Sequence, residues 1–392
     1  MSRGQLLILF ALLAAVAIVK SGVFASGEND WPAVTNLETV ALGSHPKPTA
    51  APKQGTSPEK QKPVSASGGE RMPARLALGQ MIVARFEGAN PSSAFLSRVR
   101  RGEVGGVILF EENLKGGEAA VPVLVQRLQA AASAGGNPPL LVMVDQEGGS
   151  VKRLPGPPAK AAAAMTSDDA EAEGEATGSY LAGLGINVDL APVADVRHSG
   201  SFLGSRTFSS QADEVASLAC AFAAGLRSQG IAATLKHFPG LGRATVNTDE
   251  APATVDASPA ELRADYAPYE QCAGEPRTLV MVDSAIYPQL TGSEPAVMSS
   301  DVYERELPRV GADGVTISDD LETPAIQNET TPARRSINAG LDLLLYARSE
   351  TTSATAYARL LEDVKAGAIP PSKVETAATK VLALKAELAG DD

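Results

Sequence analysis

The sequence is poor in the residues that build metal centres and nucleic-acid-binding surfaces. Its 392 residues include two cysteines and three histidines, with no CxxC motif or Cys/His cluster of the kind that holds a structural metal. The formal net charge of −12 argues against nucleic acid or an anionic membrane surface as a partner. We therefore expect a globular, monomeric protein without a metal, an organic cofactor or a nucleic-acid partner.

Long apolar runs are lacking beyond the first twenty residues. Residues 6–19 form a 14-residue apolar run between Arg3 and Lys20, which is short for a membrane span but suits the core of a signal peptide. Ala25 offers a small residue for cleavage. We expect residues 1–25 to be a signal peptide or an uncleaved signal anchor, so that the protein is exported and contacts a membrane only through such an anchor.

Residues 26–71 lack the large apolar side chains that a folded core needs. They are rich in Pro, Ala, Ser, Gly and Lys, most clearly over 44–69. Such a segment cannot bury enough surface to offset the entropy of ordering. We expect a disordered linker that precedes a single domain over residues 72–392.

The two cysteines, Cys220 and Cys272, fall on predicted neighbouring helices. In an exported protein such a pair can form a disulfide. Two buried free thiols are the alternative, and the sequence leaves both open.

Beyond residue 72, short apolar runs alternate with amphipathic stretches, which predicts an α/β fold. Helices are predicted over 213–229 and 259–272, the latter opening with a capping box at Ser258 and Glu261. Eight alternations without a GxGxxG motif favour a (β/α)₈ TIM-type barrel over an open doubly wound sheet. The eight runs, rich in Val, Ile and Leu as buried parallel strands are, cover residues 81–86, 106–110, 140–144, 186–190, 232–235, 278–282, 314–317 and 342–346.

Several predicted strands run directly into polar residues. Chemistry in such barrels lies at the C-terminal ends of the strands, and unpaired buried charges would cost several kcal/mol each. We therefore expect a functional site where these strand ends converge. The polar strand ends are Asp145 to Glu147, Lys236-His237, Asp283 and Ser318 to Asp320.

The residues at these ends restrict the chemistry. The sequence shows no Ser-His-Asp arrangement and no phosphate-binding glycine loop, and carboxylates with interspersed Arg, Lys and His remain. This set suits binding of a polyhydroxylated ligand and attack by a carboxylate on a sugar's anomeric carbon. The low aromatic content of 4% favours a pocket for one terminal sugar over an extended stacking surface.

The strand ends also resemble a known family. Residues 144–153, VDQEGGSVKR, are similar to the D-Q-E-G-G-x-V-x-R motif of family 3 glycoside hydrolases, and the resemblance extends over about residues 75–385. Its nearest branch is the single-domain β-N-acetylglucosaminidases, which implies an amino-sugar glycoside or cell-wall fragment as substrate. Further matching segments are 187–196, 205–209, 236–240, 317–321 and 339–344.

The resemblance implies roles for individual residues. It makes Asp319 the nucleophile, whereas Asp320 is expected to cap the following helix and Glu147 to be structural. His198 is expected at the surface. The residues expected to bind the sugar are Asp145, Arg153, Arg206, Lys236 and His237.

The chain departs from that branch at the general acid/base. Where the family has the triplet D-[S/T]-H, this chain has Asn247-Thr248-Asp249. At the position of a second histidine of the family, this chain has Leu241. In one interpretation Asp249, or less favourably Glu250, is a carboxylic acid/base. In the other, the protein is a slow enzyme or a barrel that binds cell-wall sugar or a partner protein at the envelope. Phosphorolysis, with phosphate replacing water, is a third option.

Overall fold

The computed structural model describes residues 72–390. The expected signal segment at 1–25 and the expected linker at 26–71 lie outside the described residues, as do residues 391–392. Within the described range, no helix is long and apolar enough to cross a membrane.

Eight parallel strands form the central sheet, in the order β10-β1-β2-β3-β6-β7-β8-β9. The sheet closes on itself because Ile317 bridges Leu343 and the Ser318 N–H donates to the Leu343 carbonyl at 2.9 Å. The predicted TIM-type barrel is confirmed, and each predicted apolar run contains or overlaps one of its strands. The strands are β1 Ile82–Ala84, β2 Gly106–Ile108, β3 Leu141–Val144, β4 Gln146–Gly148, β5 Val151–Lys152, β6 Val188–Asp189, β7 Ala232–Phe238, β8 Thr278–Val282, β9 Val315–Ser318 and β10 Leu344–Tyr346, with β4 and β5 forming a separate antiparallel hairpin.

The helices surround this sheet. The longer helices each bury one face, and the apolar residues of these faces belong to the same buried cluster as the outward-facing strand residues. The helices are α1 Ala74–Gln80, α2 Ser93–Arg100, α3 Val121–Ala134, α4 Ala170–Gly183, α5 Ala212–Ser228, α6 Pro259–Ala264, α7 Ala267–Cys272, α8 Pro288–Thr291, α9 Leu307–Arg309, α10 Pro332–Ala339, α11 Glu350–Lys365 and α12 Pro371–Ala389.

The barrel interior is filled by alternate strand residues, and one end is closed. Val83, Ile108 and Met143 belong to a buried cluster that also includes Leu384 of α12. The neighbouring Lys385 donates from Nζ to the Gly105 carbonyl, at the start of β2, at 2.8 Å. Helix α12 therefore covers the N-terminal end of the barrel, which leaves the C-terminal end for a ligand.

The predicted helix over 259–272 is wrong as one element, because the chain forms α6 and α7 instead. The capping box is present: Ser258 Oγ accepts from the Glu261 N–H, and Glu261 accepts from the Ser258 N–H. The helix ends at Ala264 because Pro268 has no N–H to donate to that carbonyl.

The structure decides between a disulfide and two free thiols at the two cysteines. Cys220 of α5 and Cys272 of α7 form a disulfide, with their Cα atoms 5.9 Å apart. The bond joins the two helices across a sequence separation of 52 residues, which restricts the unfolded chain and so stabilises the fold.

Glycine allows α4 and α5 to pack closely. A Cβ on Gly174 of α4 would lie 2.2 Å from the Phe222 carbonyl oxygen of α5. On Gly225 of α5 it would lie 2.3 Å from the Glu171 carbonyl oxygen of α4. These are backbone atoms that cannot rotate away, so both positions need a residue without a side chain.

We predict that Gly174→Ala lowers the free energy of unfolding by about 1–3 kcal/mol, because the methyl group forces the helices apart. Gly183→Ala, at the exposed end of the same helix with nothing near its added Cβ, is the matched control. It should leave stability unchanged or raise it by up to about 1 kcal/mol. Urea unfolding of both variants checks this, and equal effects would contradict the close-packing argument.

Candidate active site

A cavity of about 270 Å³ opens among the loops at the C-terminal ends of the strands. This volume is slightly below the range of typical ligand pockets, roughly 300–1,000 Å³, and suits a single small ligand. The structure brings all seven sequence-predicted site residues to its wall: Asp145, Arg153, Arg206, Lys236, His237, Asp249 and Asp319.

A network of ion pairs forms one side of the cavity. The Lys236 Nζ, at the end of β7, lies 2.9 Å from Asp145 Oδ1 and 2.7 Å from Glu147 Oε1. Arg206 donates through Nε and one terminal nitrogen to the two oxygens of Glu147, both at 2.8 Å. The two cations are therefore held rigidly, and both line the cavity.

Burial and charge oppose each other in this network. Burial raises the pKa of Glu147, but the Lys236 and Arg206 charges outweigh it and lower the pKa to about 2. Burial lowers the pKa of Lys236, but Asp145 and Glu147 outweigh it, so the pKa is raised. Glu147 thus stays ionised and holds its cationic partners. It is not among the residues that line the cavity.

His237 is oriented by a buried carboxylate that the sequence analysis did not single out. Its Nδ1 lies 2.7 Å from Asp195 Oδ2, and the same oxygen accepts the His237 backbone N–H at 3.1 Å. Asp195 Oδ1 accepts the Leu241 N–H at 2.6 Å. This arrangement leaves Nε2 as the ring nitrogen available to a ligand. The position of Asp195 in the loop after β6 was the signal that could have identified it.

Asp319 lies at the end of β9. Its backbone N–H donates to the Val282 carbonyl at 3.0 Å, and its Oδ1 accepts the Asp320 N–H at 2.8 Å. The residue is partly buried and lines the cavity. One hydrogen bond holds the Asp319 backbone and the other holds its carboxylate, so the carboxylate has little freedom to move away from the cavity.

The expectation that Asp320 caps the following helix is wrong. Its Oδ1 accepts from the Glu322 N–H at 3.0 Å and from the Ala347 N–H at 3.1 Å, so it stabilises a turn and ties the loops after β9 and β10 together. The next short helical turn begins only at Pro324. Burial raises the pKa of Asp320 to about 6, although these backbone bonds oppose the rise.

Asp283 also differs from expectation. It ends β8, as predicted, but is fully buried and does not line the cavity. It accepts hydrogen bonds from the Tyr287 hydroxyl and the Ala285 N–H. Burial raises its pKa well above the ordinary value, and its hydrogen bonds make it a structural group outside the cavity.

Asp249 lies at the mouth of the cavity, on the loop after β7. Its N–H donates to Asn247 Oδ1 at 3.1 Å. The residue as a whole is exposed, but partial desolvation of its carboxyl group and the nearby Asp319 charge raise its pKa, while His237, Arg348 and Arg206 oppose the rise. Glu250, the less favoured alternative, does not line the cavity.

No second histidine replaces the one absent from the triplet, among the residues that the structure describes. His198 lies outside the cavity, where its Nε2 is 3.0 Å from Asp265 Oδ2. Arg243 Nε donates to the same oxygen at 2.8 Å. His45 lies outside the described residues. In the same part of the chain, no group of three His, Cys, Asp or Glu residues could hold a metal ion.

Arg348 lines the cavity and was not predicted. It follows β10 by two residues, so the strand-end rule that identified Lys236 and Asp319 could have found it. Its side chain is 45% exposed, and its guanidinium contacts the loops on either side.

Comparison with known proteins places the chain among glycosidases. The model of the family described as "Glycosyl hydrolase family 3 N terminal domain" matches residues 74–384. A "Beta-hexosaminidase LpqI" of Mycobacterium tuberculosis is 30% identical, over 96% of both chains. An "Uncharacterized secreted glycosyl hydrolase" of Arthroderma benhamiae is 31% identical, over 79% of this chain and 92% of that protein.

Solved structures give the same likeness. A family 3 β-N-acetylglucosaminidase from Paenibacillus superimposes with a TM-score of 0.78 at 31% identity, covering 82% of this chain and 64% of that one. The β-N-acetylhexosaminidase of Beutenbergia cavernae gives 0.71 at 31% identity, covering 80% of this chain and 99% of that one. The match with the second of these therefore extends across nearly the whole of that chain.

We predict that Glu147→Gln lowers the free energy of unfolding at pH 7 by about 3–5 kcal/mol, because Lys236 and Arg206 lose a buried counter-charge. Since the pKa of Glu147 is lower in the folded state, its contribution is complete above about pH 4.5 and is lost as pH falls toward 2. The difference between wild type and variant should therefore narrow in acid.

Urea unfolding at pH 7 and at pH 3.5 checks this prediction. Glu362→Gln, which breaks an exposed ion pair with Lys365 on α11, is the control and should change stability by less than about 1 kcal/mol. A pH-independent loss in Glu147→Gln would contradict the electrostatic explanation.

Proposed function

Since the chain belongs to glycosyl hydrolase family 3 and is a glycosidase, we propose that it removes terminal β-linked N-acetylglucosamine with retention of configuration. One observation carries the proposal: Asp319 and Asp249 line a single small cavity, close enough for the charge of one to raise the pKa of the other. Two carboxyl groups in unlike environments are what a retaining glycosidase needs.

In the first step, Asp319 attacks the anomeric carbon and the glycosidic C–O bond breaks. Protonated Asp249 gives its proton to the departing oxygen, and the sugar becomes an ester of Asp319. The raised pKa of Asp249 suits a group that must begin the step protonated. Asp319, held by the backbone of Val282 and Asp320, suits the fixed nucleophile.

In the second step, the Asp249 carboxylate accepts a proton from water. The water oxygen attacks the anomeric carbon, the bond to Asp319 breaks, and the sugar leaves with its original configuration. Two inversions at one carbon give retention. Phosphate attacking in place of water would give a sugar phosphate instead.

The cations of the cavity bind and orient the sugar. Lys236 and Arg206 are fixed by Glu147 and do not reorganise when the ligand enters. Arg153, Asp145 and His237 add further hydrogen-bonding groups around the cavity. Fixed donors of this kind stabilise the charge that develops in the transition state.

The amino-sugar assignment and the exo mode are supported separately. Relatives named β-hexosaminidase and β-N-acetylglucosaminidase support the amino sugar. The small volume of the cavity supports removal of one terminal sugar. Cell-wall-derived glycans are proposed as its source because the resembling branch acts on them.

We also propose that the protein is exported. The 14-residue apolar run near the N-terminus supports this, as does a relative named as secreted. Whether residues 1–25 are cleaved or remain as an anchor is tested by comparing the mass and membrane association of the mature protein with those of a variant lacking them.

We predict that Asp319→Asn lowers kcat on 4-nitrophenyl β-N-acetylglucosaminide by more than ~10³-fold, because the nucleophile is lost. Asp213→Asn, an exposed aspartate in the first turn of α5, is the control and should match wild type. Trapping wild type with a 5-fluoro N-acetylglucosaminyl fluoride, which keeps the 2-acetamido group, and locating the added mass on Asp319 identifies the intermediate. Absence of turnover on any β-glycoside, with N-acetylglucosamine still bound, would leave a sugar-binding barrel.

A second prediction separates the acid role of Asp249 from a general disturbance. In Asp249→Asn, kcat/KM should fall by about 10²–10⁴-fold on the disaccharide of N-acetylglucosamine, whose leaving group needs a proton. It should fall far less on the 4-nitrophenyl glycoside, whose leaving group does not. In wild type, kcat/KM on the disaccharide should decline on the alkaline side as Asp249 ionises, at a pH above the ordinary aspartate range. Equal losses on both substrates would refute the acid role, and turnover that depends on added phosphate would show phosphorolysis.

A further inference from the structure

The loop after β7 is held unequally along its length. In its first half, the Leu241 N–H donates to Asp195 at 2.6 Å and the Ala244 carbonyl accepts from the Phe202 N–H at 3.2 Å. The second half, residues 247–250, is held mainly by bonds within itself, such as Asp249 N–H to Asn247 Oδ1. In the described part of the chain, its hydrogen bond to another loop comes from Arg348.

Arg348 joins this loop to the turn that follows Asp319. One terminal nitrogen donates to the Asp249 carbonyl oxygen at 3.1 Å, and Nε donates to Asp320 Oδ2 at 3.1 Å. The backbone N–H of Arg348 is itself fixed by Glu322 Oε2 at 2.8 Å. A planar guanidinium can make both contacts at once in a fixed geometry, which a lysine cannot.

The geometry points to Arg348 as a latch, a positioning residue that holds the Asp249 loop closed over Asp319. The inference rests on the proposed function, because it concerns how the acid meets the departing oxygen. Asp249 stands where the resembling family has a histidine, and a carboxyl group reaches less far from the backbone than an imidazole. The loop must therefore lie closer to the sugar, and a fixed contact between the two loops keeps it there.

Arg348 also contributes to the electrostatic environment of Asp249. The charged groups that face Asp249 are Asp319 at the end of β9, His237 at the end of β7, Arg206 from the loop after β6, and Arg348 after β10. Burial and Asp319 raise the pKa of Asp249, and the three basic groups lower it. Removing Arg348 takes away one opposing charge, so the pKa of Asp249 rises further.

The test compares Arg348→Ala and Arg348→Lys in the full chain with wild type. Arg334→Ala is the matched control, because Arg334 pairs with Asp363 between α10 and α11, away from the cavity. Hydrogen–deuterium exchange over residues 245–251 reports the latch directly, and the pH profile of kcat/KM on the disaccharide of N-acetylglucosamine reports Asp249.

In Arg348→Ala we expect faster exchange over 245–251 and a kcat about 10- to 100-fold lower, as for a misplaced catalytic group, with KM changing much less. The alkaline decline of kcat/KM on the disaccharide should move to higher pH, because the pKa of Asp249 rises. Arg348→Lys keeps the positive charge but cannot make both guanidinium contacts at once. The alkaline decline of kcat/KM should therefore stay near that of wild type, while hydrogen–deuterium exchange over 245–251 remains faster than in wild type. Arg334→Ala should match wild type in both.

The latch would be overturned if Arg348→Ala matched wild type both in hydrogen–deuterium exchange over 245–251 and in the pH at which kcat/KM declines. It would also be overturned if activity fell while the exchange rate and the alkaline decline of kcat/KM stayed as in wild type, because a purely structural loss would give that result. If wild type hydrolyses no glycoside, the proposed function fails, whereas the exchange comparison still decides whether Arg348 holds the loop.

Discussion

The buried ion pairs at the mouth of the barrel set the geometry of the site. Lys236 contacts both Asp145 and Glu147, and Glu147 holds Arg206 at two 2.8 Å contacts. Each of these groups would cost several kcal/mol if buried alone, so none can move without leaving its partner unpaired. The strand ends of β3 and β7 and the loop after β6 are thereby fixed relative to each other. The cations that face the cavity are thereby held in place by their protein partners.

This fixed side contrasts with the side that carries the proposed acid. Asp319 is built into a strand end, whereas Asp249 lies on a loop that reaches over the cavity. The proposed roles follow this division, since a nucleophile benefits from rigid placement and an acid/base must meet two different oxygens. Arg348, which contacts both the Asp249 carbonyl and Asp320, is where the two sides meet.

Sequence reasoning succeeded where the local pattern decides the structure and failed where distant residues do. It identified the strands and seven of the residues that line the cavity. It misjudged Asp283, which ends a strand as predicted but turns to Tyr287 instead of the cavity. It also missed Asp195 and Arg348, whose importance depends on partners 42 and 99 residues away. The division of residues 259–272 into two helices could have been inferred from Pro268.

The sequence by itself determined the barrel and the set of chemical groups at its mouth, because alternating apolar runs and polar strand ends are local properties of the chain. It also led to the proposal that Asp249 stands where the resembling family has a histidine. Only the tertiary structure decided that Cys220 and Cys272 are bonded, that His237 is held by Asp195, and that Asp249 rather than Glu250 lines the cavity. These three features depend on the distances between segments that lie far apart in the chain, and the packing of the fold sets those distances.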